Sequence, residues 1–238
     1  MQFKPIKVES PTDQFVDQLK TAILTGKYQP GEKLPSERQL EKALCVSRPV
    51  INAGLRRLEA LHFVNIQPRN GVYIADYRAE GDLATMNEII NFHGGHYRIS
   101  LLKSIYRVRL QMEGDIIRLA AAVQDATALQ RAHFALSALA NMTTAAGQAE
   151  KYFVFIHCLA LASRNDVYPL LINNFRPIYL TLGKWTFQSD TPENVQQQNE
   201  GLLGLIKNGQ EEAAVRYNQR QIAASYHLLT GTQLEFEN

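Results

Sequence analysis

The stretch PGEKLPSERQLEKALCVSRPVINAGLRRLEALHFVNIQPRNGVYI, residues 30–74, decides how the chain is read. Leu34-Pro35-Ser36 sets up a helix. Ser36 is a natural N-cap because its hydroxyl accepts a free first-turn amide, and Gln39 three residues on completes a capping-box pattern. Leu40, Ala43 and Leu44 form the apolar side of this short helix. After a brief turn at Cys45-Val46, Ser47 is expected to cap the next helix, with Pro49 in a first turn where its missing N–H forfeits no bond. Ile51, Leu55 and Leu58 face inward from it. The period then changes: Phe63–Ile66 and Val72–Ile74 read as two short strands. Asn70-Gly71 between them predicts a hairpin, since both residues tolerate positive φ. Upstream, Phe15, Val16, Leu19 and Ile23 recur at helical spacing until Gly26.

Helix, helix, turn, helix, hairpin describes a winged helix-turn-helix. Such a unit presents the N-terminal residues of its third helix to base edges in the major groove, while the wing meets backbone or minor groove. The residues so placed are Ser36, Arg38, Ser47, Arg48, Asn52, Arg69, Asn70 and Gly71. Ser47 and Arg48 sit where free amides and the helix dipole favour phosphate. Arg48 has the fork that matches guanine O6 and N7, and Asn52 the amide that pairs bidentately with adenine. Other readings stay open: Arg38 clamps phosphate or pairs with Glu41 or Glu37, and at least one of Arg56 and Arg57 solvates its own helix face. Gly54 in mid-helix costs ~1 kcal/mol against alanine, which points to close packing of the first helix. Charge agrees with a polyanion partner for this region. Residues 1–78 carry 12 Lys/Arg against 8 Asp/Glu, whereas the remainder carries 13 against 15.

Beyond a polar linker over Ala75–Asp82 the strand signals fade. Leu83, Met86, Ile89 and Ile90 keep helical spacing to Gly94-Gly95, and a long helix is predicted over 97–124. Alanine-rich 126–146 is expected to stop at Gly147. Further helices are predicted over 149–163, 166–187 (started or kinked by Pro169 and Pro177), 192–208 and 210–230. The chain is therefore mostly α, with a winged domain over 1–75, a linker over 76–82 and an all-α antiparallel bundle over 83–238.

The segments Pro30-Gly31, Leu34–Leu40, Val46-Ser47-Arg48 and Leu55–Glu59 resemble the DNA-binding domain of GntR-type bacterial transcription regulators. Arg109 followed by Glu113, and Leu159–Asn165, are similar to the FadR-type subfamily. The resemblance implies a homodimer on a palindromic double-stranded operator, expected to act as a repressor. It also implies a small-molecule effector in the helical domain. Many such relatives bind a divalent metal through one Asp and three His. The corresponding positions here hold Tyr152, Ile156, Asn199 and Gln221, so no metal and no cofactor is expected. The metal-free pattern, with Asn165–Tyr168, Tyr179, Gly183-Lys184 and Phe187, resembles the fatty-acid-responsive members and points to an acyl-coenzyme A or another carboxylate-bearing ligand. Residues proposed to line its pocket are Arg109, Tyr152, Tyr179, Trp185, Tyr217 and Arg220. The same aromatic residues also suit an ordinary core, and Arg109 with Glu113 an intrahelical ion pair. Where the family carries an arginine and a wing glycine, this chain has Asn52 and Arg69.

With 238 residues, 45% hydrophobic and 20% charged, the chain has an ordinary globular balance. It shows no stretch of transmembrane length, no signal-peptide core and no membrane partner, so a cytoplasmic location is expected. Cys45 and Cys158 make no disulfide framework. His93 and His96 suit surface imidazoles, and His227 has no visible partner. An enzyme is not expected, because the sequence offers no Gly-rich phosphate loop, zinc spacing or nucleophile–base pair. The competing reading is a helical interaction protein whose winged domain reads no DNA sequence.

Overall fold

The computed structural model describes residues 9–92 and 99–234. Two compact units share the chain, Met1–Gly95 and His96–Asn238.

The first unit comprises α1 (Pro11–Leu24), α2 (Glu37–Leu44), α3 (Arg48–Ala60), β1 (Val64–Gln67), β2 (Gly71–Ile74), α4 (Tyr77–Glu80) and α5 (Leu83–Phe92). Both arms of the Ser36–Gln39 capping box form at the start of α2. Phe15, Val16, Leu19 and Ile23 of α1 bury against Ile51, Leu55 and Leu58 of α3 and against Phe63, Val64 and Ile74 of the hairpin. β1 and β2 pair antiparallel from Val64↔Ile74 to Gln67↔Gly71. The segment before α2 extends this sheet: Leu34 donates its amide to the Val72 carbonyl, and Ile74 donates to Glu32.

Three details differ from the sequence reading. Ser47 occupies the N-cap of α3, yet its hydroxyl makes no capping bond. At the wing tip, the Asn70 amide donates to the Gln67 carbonyl. That closes a turn with Pro68 and Arg69 at its centre, so positive φ falls on Arg69 (65°) and Gly71 (115°) rather than on Asn70. Finally, 76–82 is not a free linker. Asp76 caps α4, the Tyr77 ring lies 5.6 Å from that of Phe63, and the Asp82 carboxylate accepts the Ala84 and Thr85 amides at the start of α5. Helix α5 itself packs on the first unit rather than opening the bundle. Lys20 Nζ donates to Glu88 at 2.7 Å, the Thr85 hydroxyl donates to the Leu61 carbonyl at 3.0 Å, and Ile89 and Phe92 lie against the core. Thr85, Ile89 and Phe92 share one helical face, and that face covers the end of α3.

The second unit contains α6 (Ile99–Val123), α7 (Ala126–Ser137), α8 (Ala145–Ala162), α9 (Tyr168–Asn174), α10 (Arg176–Ser189), α11 (Pro192–Lys207) and α12 (Glu211–Thr230). Helix α8 is its centre, packed on α6, α7, α9 and α10 through Phe153, Phe155, Ile156, Cys158, Leu159, Ala160 and Ala162. The predicted helix 126–146 ends early, at Ser137. Gly147 does not stop it; the Thr144 hydroxyl accepts the Gly147 amide and opens α8. The predicted 166–187 segment is two helices, each with its proline in the first turn. His93, Gly94-Gly95, His96 and the first residues of the predicted 97–124 helix lie outside the described residues. No helix among the described residues is long and apolar enough to cross a membrane.

Candidate nucleic-acid interface and effector cavity

The N-terminal turn of α3 is an exposed face. Ser47 and Arg48 are exposed on it, and the Ser47 hydroxyl is free of capping duty. The Arg48 side chain keeps 70% of its surface in solvent while its Nε donates to Glu37 Oε2 at 2.9 Å. Asn52, one turn on, is half-buried; its amide nitrogen, oriented so that each group is satisfied, lies 3.0 Å from both Glu37 oxygens. Ser36 is consumed by the capping box. Arg38 is exposed and makes no ion pair or hydrogen bond among the described residues, which leaves it available to phosphate. Arg57 is not available, because it donates to Asp13 at 2.6 Å and ties α3 to α1. At the wing, Arg69 and Gly71 are exposed, and the Asn70 side-chain amide donates to Gln67. Glu37 is the residue that sequence spacing did not single out as a partner of α3.

The second unit contains a partly open cavity of about 200 Å³. Arg109 of α6, Tyr152 of α8 and Tyr179 of α10 line it. Trp185, Tyr217 and Arg220 do not. Trp185 lies one position before the lining residue Thr186, a rotation of about 100° around the helix. Arg220 is offset in the same way from Gln221 and is exposed. Tyr217 packs with the bundle core, its hydroxyl filling the space beside Gly201. The polar lining residues missed are Thr186, Asp190, Gln198 and Ser225, while Asn199 and Gln221 entered the sequence reading only as positions of the relatives' metal ligands. Their signal is a polar interruption of apolar stripes: Tyr179, Leu182, Gly183, Thr186 and Phe187 fall at one helical face, as do Gln221, Ile222, Ser225 and Leu228.

Arg109 is buried beside the cavity, its Nε donating to Glu113 Oε1 at 2.8 Å. The Tyr179 hydroxyl donates to the same oxygen at 2.7 Å. The guanidinium carbon lies 5.1 Å from the ring centres of Tyr106 and Tyr179. Burial opposes the guanidinium's charge, but Glu113 and the surrounding phenols hold its pKa well above the ordinary arginine value. Burial likewise pushes the Tyr152 phenol up to about 12, only partly offset by Arg109. Glu113 Oε2 and Gln221 Nε2 are buried with no hydrogen-bond partner among the described residues. Buried polar atoms rarely stay unpaired, and Gln221 belongs to the cavity wall.

Of the four positions matching family metal ligands, Tyr152, Asn199 and Gln221 meet at this cavity and Ile156 is buried in the core. A phenol, two amides and an alkyl group do not suit a divalent ion. His157 follows Ile156, but its ring stacks on Phe153 and burial holds its pKa down. No group of three or more His, Cys, Asp or Glu among the described residues is placed to hold a metal.

A family model described as bacterial regulatory proteins, gntR family, matches residues 11–74, and one described as FCD domain matches residues 104–224. The HTH-type transcriptional regulator Mce2R of Mycobacterium tuberculosis is 34% identical over 121 residues, 51% of this chain and 50% of the relative. The chain thus spans about half the length of that relative. The fatty acid metabolism regulator protein of Pasteurella multocida is 25% identical over 186 residues, 76% of this chain and 74% of the relative. Among solved structures, Lar of Listeria monocytogenes, described as controlling expression of the agr system, matches with a TM-score of 0.62 at 16% identity. That match covers 96% of this chain and 100% of the other, and it is a likeness of fold. The matched families and the named relatives are transcription regulators, not enzymes.

Proposed function

The chain belongs to the gntR family of bacterial regulatory proteins and carries an FCD domain, and on that premise we propose that it is a cytoplasmic homodimeric repressor that reads a palindromic operator and answers to a small carboxylate. Base reading falls to Arg48 and Asn52, phosphate contacts to Arg38, Ser47 and Arg69, and wing docking to Asn70 and Gly71, while Ser36 serves by capping α2. One observation carries the ligand class. The cavity couples a buried guanidinium with the orphaned donor Gln221 Nε2 in a space of only about 200 Å³.

The cavity is partly open to solvent, so this volume describes what it holds inside its mouth. An acyl-coenzyme A, with nucleotide, pantetheine arm and acyl chain, is several times larger. A short carboxylate suits this wall, with its oxygens toward Arg109, Tyr152 and Gln221 and its carbon chain among Leu182, Val195, Phe187 and Ile222; the Asp190 carboxylate, also in the lining, is engaged by the Thr191 amide and the Asn194 side chain. Thermal-shift screening against short mono- and dicarboxylates and acyl-coenzyme A compounds tests this, since a ligand that prefers the native state raises its stability. A shift with short acids is expected. A shift with acyl-coenzyme A alone would overturn the assignment.

The DNA reading is tested by salt-dependent duplex binding with preference over random sequence. A helical interaction protein that reads no sequence shows no such preference.

A further inference from the structure

Resting on the DNA-reading function above, we infer that Glu37 of α2 determines the specificity of the recognition helix α3, acting by positioning Arg48 and Asn52. Glu37 is the first residue of α2, where the helix dipole favours a carboxylate. From there it reaches the two side chains that face the groove from α3: it accepts Arg48 Nε at 2.9 Å and stands 3.0 Å from the Asn52 amide nitrogen through both oxygens. Arg48 and Asn52 are four residues apart, so one carboxylate spans a single turn of α3.

The geometry has a different consequence for each side chain. Tying Nε fixes the plane of the guanidinium and leaves the two terminal nitrogens free. Those are a donor pair that fits guanine O6 and N7. An untethered arginine loses more side-chain freedom on docking than one already held in plane. Asn52 is affected in the opposite sense. Bidentate adenine pairing needs both the amide oxygen and the amide nitrogen, and Glu37 draws the nitrogen away, leaving the oxygen as an acceptor for an exocyclic amine. The pair therefore favours guanine at the Arg48 position and relaxes strict adenine reading at the Asn52 position. The carboxylate also repels phosphate, which weakens grip on random duplex and widens the gap between specific and non-specific binding.

The experiment uses the full chain. Wild type selects its preferred duplex from a randomised pool, and wild type, Glu37→Gln and Glu37→Ala are then compared on that duplex and on random duplex, with thermal midpoints as the control for folding. Unchanged midpoints are expected. Guanine preference at one base pair of each half-site should fall roughly five- to a hundredfold, while random-duplex affinity holds or rises. A role confined to folding would lower both affinities together with the midpoint, and would overturn the inference. So would tighter operator binding with unchanged base preference, which would make Glu37 a restraint on Arg48 rather than a guide. If wild type selects no sequence at all, the DNA-reading function fails and the role of Glu37 falls with it.

Discussion

The ring of Phe15 on α1 fills the space beside Gly54 of α3 so closely that a Cβ at residue 54 would stand 2.3 Å from Phe15 Cδ1. The mid-helix glycine is thus a packing requirement. Phe15 is itself buried in the core of the first unit, so the ring has little room to retreat. Gly54→Ala gains ~1 kcal/mol of helix propensity but forces strain of the kind that costs roughly 1–3 kcal/mol. A lower denaturation midpoint is expected, with little change in the helix signal. A midpoint equal to or above wild type would show that the ring swings aside freely.

Arg69 holds φ 65° at the wing tip, a conformation that costs an L-residue roughly 1–2 kcal/mol against glycine. Arg69→Gly should therefore raise stability by about 0.5–1 kcal/mol. The same change removes a cation from the wing. If that cation meets phosphate, the slope of log affinity against log salt should fall in magnitude by about 0.9. Urea denaturation reads the first effect and a duplex titration across salt the second. A stabilised variant with an unchanged slope would remove Arg69 from the interface while leaving the backbone argument intact.

Arg109 and Glu113 form a buried pair within one helix, with Tyr179 donating to the shared oxygen. Removing one member leaves an uncompensated charge in the interior, a loss of roughly 3–5 kcal/mol. Glu113→Ala should therefore unfold the bundle at markedly lower urea. The double change Arg109→Met with Glu113→Leu should recover much of that stability, since apolar replacement of a buried pair is often neutral or better. The double variant should still fail to respond to the carboxylates that shift wild type. A retained ligand shift would show that Arg109 serves structure alone.

Much of the first unit was legible because its signals are local. Ser36 and Gln39 report a cap by their spacing, and the alternation of Phe63–Ile66 and Val72–Ile74 reports strands. What was not legible depends on contacts between distant segments. The pairing of Glu37 with Arg48 and Asn52 spans two helices and leaves no periodic trace. The attachment of α5 through Lys20–Glu88 bridges 68 residues. In the bundle, Arg109 and Tyr179 could be placed at the cavity, but Trp185 and Arg220 could not be excluded by type. Only the helical phase, one position off Thr186 and Gln221, separates them from the lining. The Ala-rich 126–146 segment misled for a related reason. Alanine propensity runs through the turn at 138–144, and the restart is set by Thr144 and its bond to the Gly147 amide.

Stability should fall at both ends of the pH scale, and named groups set each limb. On the acid side, Asp125 is held below the ordinary carboxylate value by the Ala128 amide and then by Arg164, and Asp13 by Ser10 and Arg57. A carboxylate depressed in the folded state contributes stability above its unfolded pKa of ~3.9, and that contribution is lost as pH falls through the folded value. On the alkaline side the sign reverses. The Tyr152 phenol is pushed up to about 12 by burial, and that of Tyr168 to about 12, first by its bond to the Asp115 carboxylate. Below the unfolded phenol value of ~10 their contribution is fully present; it drains away as pH climbs toward the folded value, because the unfolded chain ionises first. Urea midpoints should thus be flat from about pH 7 to 9 and decline on either side, the acid decline beginning at about pH 6.5 because burial holds the folded His157 imidazole below the unfolded value. Tyr152→Phe should make the alkaline limb shallower without abolishing it, since the Tyr168 and Tyr179 phenols are also held up, and Asp125→Asn should do the same to the acid limb. An alkaline limb of unchanged steepness in Tyr152→Phe would show that this phenol ionises as readily in the folded protein as in the unfolded chain.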